Sequence, residues 1–287
     1  MSRRPWRSPH AHPLPHPDRR PVLVTGASSG VGSAVAVGLA AAGYPVALGA
    51  RRTAICEELA EKIRADGGEA VALALDVTSD ESVSFFVAEA EQALGEVEVV
   101  VTCAGEVTPE NAYETATPDF EAQLQLNLVG TQRFVAKVAP AMAARRRGDI
   151  VFVSSDVVRL PRPRMGAYVA AKNGVEGLAR AMQMELEGTG VRASILRPGP
   201  TLSGVGSTWP VEVLQAVLDD WVRFGLARHD RFLRPRDVAA AVLAVISMPR
   251  GAHVTLLEVE PEAPLRAEAG PDHGTAAPRG TGREGDR

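Results

Sequence analysis

Cysteine is nearly absent: 287 residues carry two. A disulfide framework is therefore excluded, and a reducing, cytoplasmic compartment is the expectation. Positive charge is not in excess either. The net charge of −4 argues against nucleic acid as a partner. No apolar run reaches the about 20 residues that a spanning helix needs. Residues 21–50 hold no charged side chain, but Thr25-Gly26, Ser28-Ser29-Gly30, Gly32 and Gly43-Tyr44-Pro45 interrupt them, so no membrane contact is expected. Arg3-Arg4 is followed by Pro, His and Arg rather than an apolar segment, so it makes no export signal. Aromatic residues make up only 5%. In their place the chain has 27 Gly and 21 Pro, within a globular balance of 45% hydrophobic and 23% charged residues.

Composition divides the chain. Residues 1–20 hold five Pro and five Arg, and residues 261–287 hold four Pro and five Gly among alternating charges. Neither end can bury enough apolar surface to offset its ordering entropy, so both are expected as disordered tails. They carry +4 and −1, which leaves −7 on residues 21–260, a span that suits one α/β domain. Short apolar runs at 21–25, 46–50, 70–75, 97–102, 149–154, 191–196 and 254–259 alternate with helical patterns at 33–42, 53–66, 80–94, 118–144, 166–187, 211–224 and 235–247. Strands that mostly read as continuous apolar runs, alternating with helices, predict a parallel sheet covered on both faces, with right-handed crossovers. Ligands of such sheets sit beyond the carboxyl ends of the strands. Functional residues are thus expected just after strands one, two, four, five and six.

The first of these places is rich in glycine. Thr25-Gly26-Ala27-Ser28-Ser29-Gly30-Val31-Gly32 joins a β run to an Ala-rich helix. There the backbone can approach a pyrophosphate and the helix start offers free N–H groups. Gly26, Ser28 and Gly30 also fit the G-x-S-x-G nucleophile elbow, which leaves a serine hydrolase acting through Ser28 as an alternative. That reading needs a downstream acid and His, and only His229 and His253 remain outside the tails. After the second run, Ala50 stands where an acidic residue would bind a ribose 2′-hydroxyl, and Arg51 and Arg52 follow it. Guanidinium groups would stabilise a 2′-phosphate, so NADP(H) is expected in preference to NAD(H). The bland alternative is two solvated arginines. Asp76-Val77, after the third run, is placed either to meet an adenine edge or to cap the next helix.

A second cluster carries acid–base chemistry. Tyr168 and Lys172 share a helix face at i, i+4, where an ammonium beside a phenol would lower the phenol's pKa toward working pH. Ser155 ends the fifth run, where a hydroxyl can hold a substrate oxygen or simply turn the chain. Asn127 lies inside a long helical pattern, where helix propensity gives no reason for an amide. Arg197-Pro198-Gly199-Pro200-Thr201 follows the sixth run as a rigid loop.

Taken in order, Thr25-Gly26-x-x-x-Gly30-x-Gly32, Asp76, Ala104-Gly105, Asn127, Ser155, Tyr168-x-x-x-Lys172 and Pro198-Gly199 make residues 21–260 resemble the short-chain dehydrogenase/reductase family. The resemblance implies a doubly wound, Rossmann-type parallel sheet of seven strands with helices on both faces. It implies a nicotinamide cofactor held by Gly26, Ser28, Ser29, Gly30, Val31, Gly32, Arg51, Arg52, Asp76, Val77, Ala104, Gly105, Tyr168, Lys172, Pro198, Gly199 and Thr201. It also implies a catalytic tetrad. Tyr168 would be the general acid/base, Lys172 would lower its pKa and bind the nicotinamide ribose, Ser155 would orient the substrate oxygen, and Asn127 would hold a water in a proton relay. The substrate would be a small carbonyl compound or alcohol, and the assembly a homodimer or homotetramer. A nucleotide-binding sensor or scaffold on the same fold is the alternative, and the intact tetrad argues against it. The family's Asn-Asn after strand four is Thr102-Cys103 here, which removes an expected side-chain brace of the central sheet. Residues 201–234 are expected as a substrate lid. Trp209, Trp221 and Phe224 there suit a hydrophobic substrate, whereas Arg228, His229 and Arg231 suit an anionic one.

Overall fold

A computed structural model describes residues 15–206 and 209–265. Strands β1 (Val22–Thr25), β2 (Val46–Ala50), β4 (Val99–Thr102), β5 (Gly148–Val153) and β6 (Val191–Pro198) are buried at every residue, as their apolar runs predict, although β5 and β6 also bury Asp149, Arg192 and Arg197. The edge strands β3 (Ala70–Ala74) and β7 (Leu256–Val259) are partly exposed. All seven form one parallel sheet in the order β3-β2-β1-β4-β5-β6-β7.

Because successive strand side chains alternate between faces, each strand serves two cores. Val24, Leu48, Val101, Val151 and Leu196 face α1 (Gly30–Ala41), α2 (Thr53–Ala65) and α8 (Pro235–Ser247). Leu23, Val100, Ile150, Phe152 and Ile195 face α3 (Asp80–Leu94), α5 (Gly130–Arg145) and α6 (Gly166–Glu185), with Phe86 and Phe134 between them. The expected doubly wound α/β architecture is what the chain adopts. Helix α7 (Val211–Arg223) stands apart from both layers, with Val217 packed in a small cluster with Val107, Val157 and Met165.

Two expectations are corrected. The single helix expected over 118–144 is divided into α4 (Thr117–Leu124), a π-helical turn over Gln125–Val129, and α5. Such turns insert one residue into a helix and cluster at functional sites; this one is centred on Asn127. Packed structure also begins before Pro21. Arg20 is 6% exposed, ion-paired to Asp149, and donates to the Ile246 carbonyl at 2.9 Å. The rest of the two expected tails, 1–14 and 266–287, lies outside the described residues. Among the described residues no helix is long and apolar enough to cross a membrane, and no group of three His, Cys, Asp or Glu could hold a metal.

Candidate active site

The sheet reverses its winding between β1 and β4, the place where such folds leave a crevice. A cleft of about 660 Å³ opens there, within the range of small-molecule sites. Of the residues assigned above to the cofactor and the tetrad, all line it except Asn127, which is fully buried behind it; of the lid residues Trp209 and Trp221 line it, whereas Phe224, Arg228, His229 and Arg231 do not.

At one end is the turn from β1 into α1. Gly26 has φ +67°, and an added Cβ would stand 2.8 Å from the Ala104 Cα, so the turns after β1 and β4 touch backbone to backbone. An added Cβ on Gly32 would collide with the Gly26 carbonyl. Ser29 precedes α1 without capping it, so its side chain leaves the first N–H groups of α1 free for a ligand. Ser28, Gly30 and Val31 complete this wall. Arg52 donates from Nη2 to Ser28 Oγ (3.0 Å) and Ser29 Oγ (2.9 Å), and so leans over the turn. Arg51 reaches only Glu106, at 3.9 Å, and is largely exposed. A dinucleotide fits this donor set: a glycine cradle that a Cβ would fill, an uncapped helix start, and two guanidinium groups beyond β2.

Asp76 and Val77 form the rim. Asp76 Oδ1 accepts from the Thr78 N–H (2.9 Å) and hydroxyl (2.7 Å), which holds its carboxyl below the ordinary range. The expected helix-capping role is corrected: Ser79 caps α3, accepting from the Ser82 N–H, while Asp76 holds the turn at Thr78 and lines the cleft. The hydrolase alternative is corrected here. Ser28 is engaged by Arg52, whereas His229 accepts from the Arg231 N–H and His253 bonds the Ala193 carbonyl. Among the described residues no histidine bonds Ser28.

The missing Asn-Asn brace is also replaced. Thr25 and Thr102 are paired across β1 and β4. Thr102 Oγ1 donates to the Val151 carbonyl (3.4 Å), and Thr25 Oγ1 accepts from the Ala104 N–H (3.0 Å). Two hydroxyls therefore tie three strands together. Burial pushes the Cys103 thiol up to about 12, so it remains a neutral apolar filler.

At the other end, Ser155, Tyr168 and Lys172 converge. Lys172 is 5% exposed, donates to the Val153 carbonyl at 2.8 Å, and places its Nζ 5.5 Å from the Tyr168 ring centre. Burial lowers its pKa to about 8. Burial likewise pushes the Tyr168 phenol up to about 12, against a lowering hydrogen bond from Ser155. Desolvation of the phenol outweighs that hydrogen bond and the favourable Arg162 guanidinium together. Asn127 is an anchor. Its Oδ1 accepts from the Glu106 N–H (3.0 Å), and its Nδ2 donates to the Glu106 (3.0 Å) and Gln123 (2.9 Å) carbonyls. It thereby clamps the loop carrying Ala104 and Gly105 to the π-helical turn. Pro198 ends β6. Gly199 donates its N–H to the Val259 carbonyl at 2.8 Å, and Thr201 bridges to Leu233 at the base of the lid.

A depressed lysine pKa links to stability. Between about pH 8 and pH 10.5 the unfolded chain keeps a proton on Lys172 that the folded chain has released, so folding becomes more favourable as pH rises. Denaturant titrations of wild type and Lys172→Met are expected to diverge in favour of wild type across that window. Parallel curves would contradict the depressed value.

Three participants escape sequence reasoning. Glu176, one turn beyond Lys172, is fully buried; it accepts from Ser154 Oγ (2.9 Å) and from Arg197 Nε (2.9 Å) and Nη2 (2.8 Å). Burial opposes its charge, but these bonds outweigh it and hold the carboxyl low. It fixes α6 against β5 and β6, so that Tyr168 and Lys172 face the cleft. The i+4 spacing was its only signal. Asp156 and Arg162 form a buried ion pair beside Ser155. They lie six residues apart in an irregular connection, where no periodicity marks them.

The short chain dehydrogenase family model matches residues 20–211. Glycine betaine reductase of Emericella nidulans is 34% identical over 90% of this chain, which spans 20% of that protein's length. Glucose 1-dehydrogenase of Gluconobacter oxydans is 30% identical over 80% of this chain and 87% of its own. An alcohol dehydrogenase from the archaeon Thermococcus sibiricus, solved in complex with 5-hydroxy-NADP, matches with a TM-score of 0.73 and 29% identity, covering 84% of this chain and 96% of that one.

Proposed function

The chain belongs to the short-chain dehydrogenase family of NAD(P)-dependent oxidoreductases, and from that premise we propose that it interconverts a small ketone or aldehyde and its alcohol, using NADP(H) in preference to NAD(H). The observation that carries this reading is the meeting of Ser155, Tyr168 and Lys172 in the same cleft as the glycine-rich turn and Arg51 and Arg52. When bound, the nicotinamide supplies or accepts the hydride. Ser155 orients the substrate oxygen. Tyr168 gives that oxygen a proton in reduction and takes one back in oxidation. Lys172 would offer its ammonium to a ribose hydroxyl, and Asn127 steadies the loop that carries Ala104 and Gly105. Gly26, Gly30 and Gly32 allow close approach of a pyrophosphate to α1.

The test is a panel of carbonyl compounds and alcohols followed by nicotinamide absorbance with each cofactor. Turnover of at least one pair with NADPH is expected. Saturable NADPH binding without any turnover would instead favour a sensor. Cofactor choice has its own check. Loss of one charge-assisted contact to a 2′-phosphate corresponds to about a 10- to 100-fold change. Arg51→Ala and Arg52→Ala are therefore expected to raise the KM for NADPH by that order and to leave the KM for NADH nearly unchanged. Equal effects on both cofactors would remove the argument for NADP(H).

The lid side of the cleft is formed by Trp209, Trp221 and Val205, which suits a hydrophobic substrate portion. Assembly as a homodimer or homotetramer, and residence in the cytoplasm, complete the proposal. Light scattering on the purified protein reads the first.

A further inference from the structure

The connection from β5 to α6 holds a charged pair that the reaction outlined above does not require. Asp156 and Arg162 are 4% and 6% exposed. Arg162 Nη1 donates to Asp156 Oδ1 at 2.8 Å, and Nη2 contacts Oδ2. The guanidinium stacks on Trp221 of α7, 4.7 Å from the ring centre. Both Arg162 Nε and Trp221 Nε1 are buried without an acceptor. A buried ion pair gains little over apolar side chains of the same size, and two orphaned donors add a further cost. Stability thus gives no reason for this pair.

Its neighbours supply one. Ser155 Oγ donates to Asp156 Oδ1 at 3.2 Å, while the Val157 N–H approaches the same hydroxyl at 3.4 Å. Ser155 Oγ is thus held by Asp156, its neighbour on the wall of the same cleft, and a substrate oxygen must compete with that carboxylate for the serine proton. We propose that Asp156 is a positioning residue, holding the Ser155 hydroxyl and, balanced by Arg162, setting the charge that Tyr168 experiences, with Arg162 seated on the lid helix through Trp221. This rests on the reading of Ser155 and Tyr168 as the acting groups.

The sign is fixed by electrostatics. The Asp156 carboxylate disfavours the phenolate and the Arg162 guanidinium favours it. The other ionisable groups lining the cleft with Tyr168 at this end are Lys172 on its own helix, Cys103 as a neutral thiol and the exposed Glu106, while the Arg164–Asp220 pair joins this connection to α7 outside the cleft lining.

The test reads the phenol itself and needs no substrate. The chain has three tyrosines, so alkaline absorbance titration by rapid pH jump, with Tyr168→Phe subtracted, isolates Tyr168. Asp156→Asn is expected to lower its midpoint by about one pH unit. The same drop is expected when Asp156→Asn is added to Arg162→Gln, a background without the guanidinium that keeps the test open if the single variant does not fold. Circular dichroism confirms folding. Unchanged midpoints in folded variants would overturn the proposal, because a purely structural pair would alter stability alone. If the midpoints move but no carbonyl compound is reduced, the hold of Asp156 on the Tyr168 phenol stands and the proposed function it was to serve fails. If turnover is found while the midpoints stay, this inference fails alone.

Discussion

Tyr168→Phe is expected to lower kcat about 10²–10⁴-fold, the usual contribution of a positioned proton donor, and to leave folding and NADPH affinity nearly intact. The phenyl ring keeps its packing against the cluster of Val107, Val157, Met165 and Val217 and remains beside Lys172. What disappears is the hydroxyl that Ser155 bonds. Turnover with the best substrate of the panel, together with NADPH fluorescence titration, separates the two effects; near wild-type kcat would sink the assignment. Direction matters as well. With the phenol pushed up to about 12 by burial, Tyr168 is protonated at neutral pH. Reduction, which uses the acid, is expected to be flat through neutrality. Oxidation, which uses the phenolate, is expected to climb with pH until that group or Lys172 finishes titrating. The same rise in both directions would mean that another group moves the proton.

The sheet was legible because most of its inner strands carry continuous apolar runs, a pattern that neither a half-exposed strand nor an amphipathic helix produces. The cleft was legible for a related reason. In a doubly wound sheet, loops after known strands must lie at one edge, so Gly26, Arg51, Asp76, Gly105, Ser155 and Pro198 could be brought together from strand order alone. The π-helical turn was not legible, because one inserted residue hardly disturbs a 3.6-residue period. Asn127 was noticed as out of place, but its hold on the Glu106 backbone needed coordinates.

Charged residues failed for a different physical reason. On a sequence, Glu176 reads as part of a solvated helix face, and Asp156 and Arg162 as loop polarity. Burial is possible for each only because a distant partner neutralises it: Arg197 of β6 for Glu176, and each other for the second pair. The Tyr168–Lys172 spacing brought two neighbours together but could not show how strongly each is desolvated, since that depends on what packs around the cleft.

The same blindness applied to Arg20, and it carries the second large expected effect. Asp149 opens β5 at the end of the sheet opposite the cleft and is 3% exposed. One oxygen meets Arg20, and the other accepts from Arg192 Nε at 2.6 Å. Arg192 also donates to the Met248 (2.9 Å) and Ala252 (2.8 Å) carbonyls, so the carboxylate joins the segment before β1, β5, β6 and the segment after α8. Asp149→Ala would leave two buried guanidinium groups facing each other without their anion. Breaking a buried pair in this way costs about 3–5 kcal/mol, and chemical denaturation should show a loss of that order. Asp149→Asn keeps one acceptor oxygen and is expected to lose less, whereas a combined Asp149→Leu, Arg20→Met, Arg192→Met variant removes the unpaired charge and is expected to recover part of the loss. If Asp149→Ala cost no more than the about 1 kcal/mol of an exposed pair, the network would be surface-like and Arg20 no part of the fold. If the triple variant were the least stable of the three, the two arginines would hold the backbone carbonyls independently of Asp149.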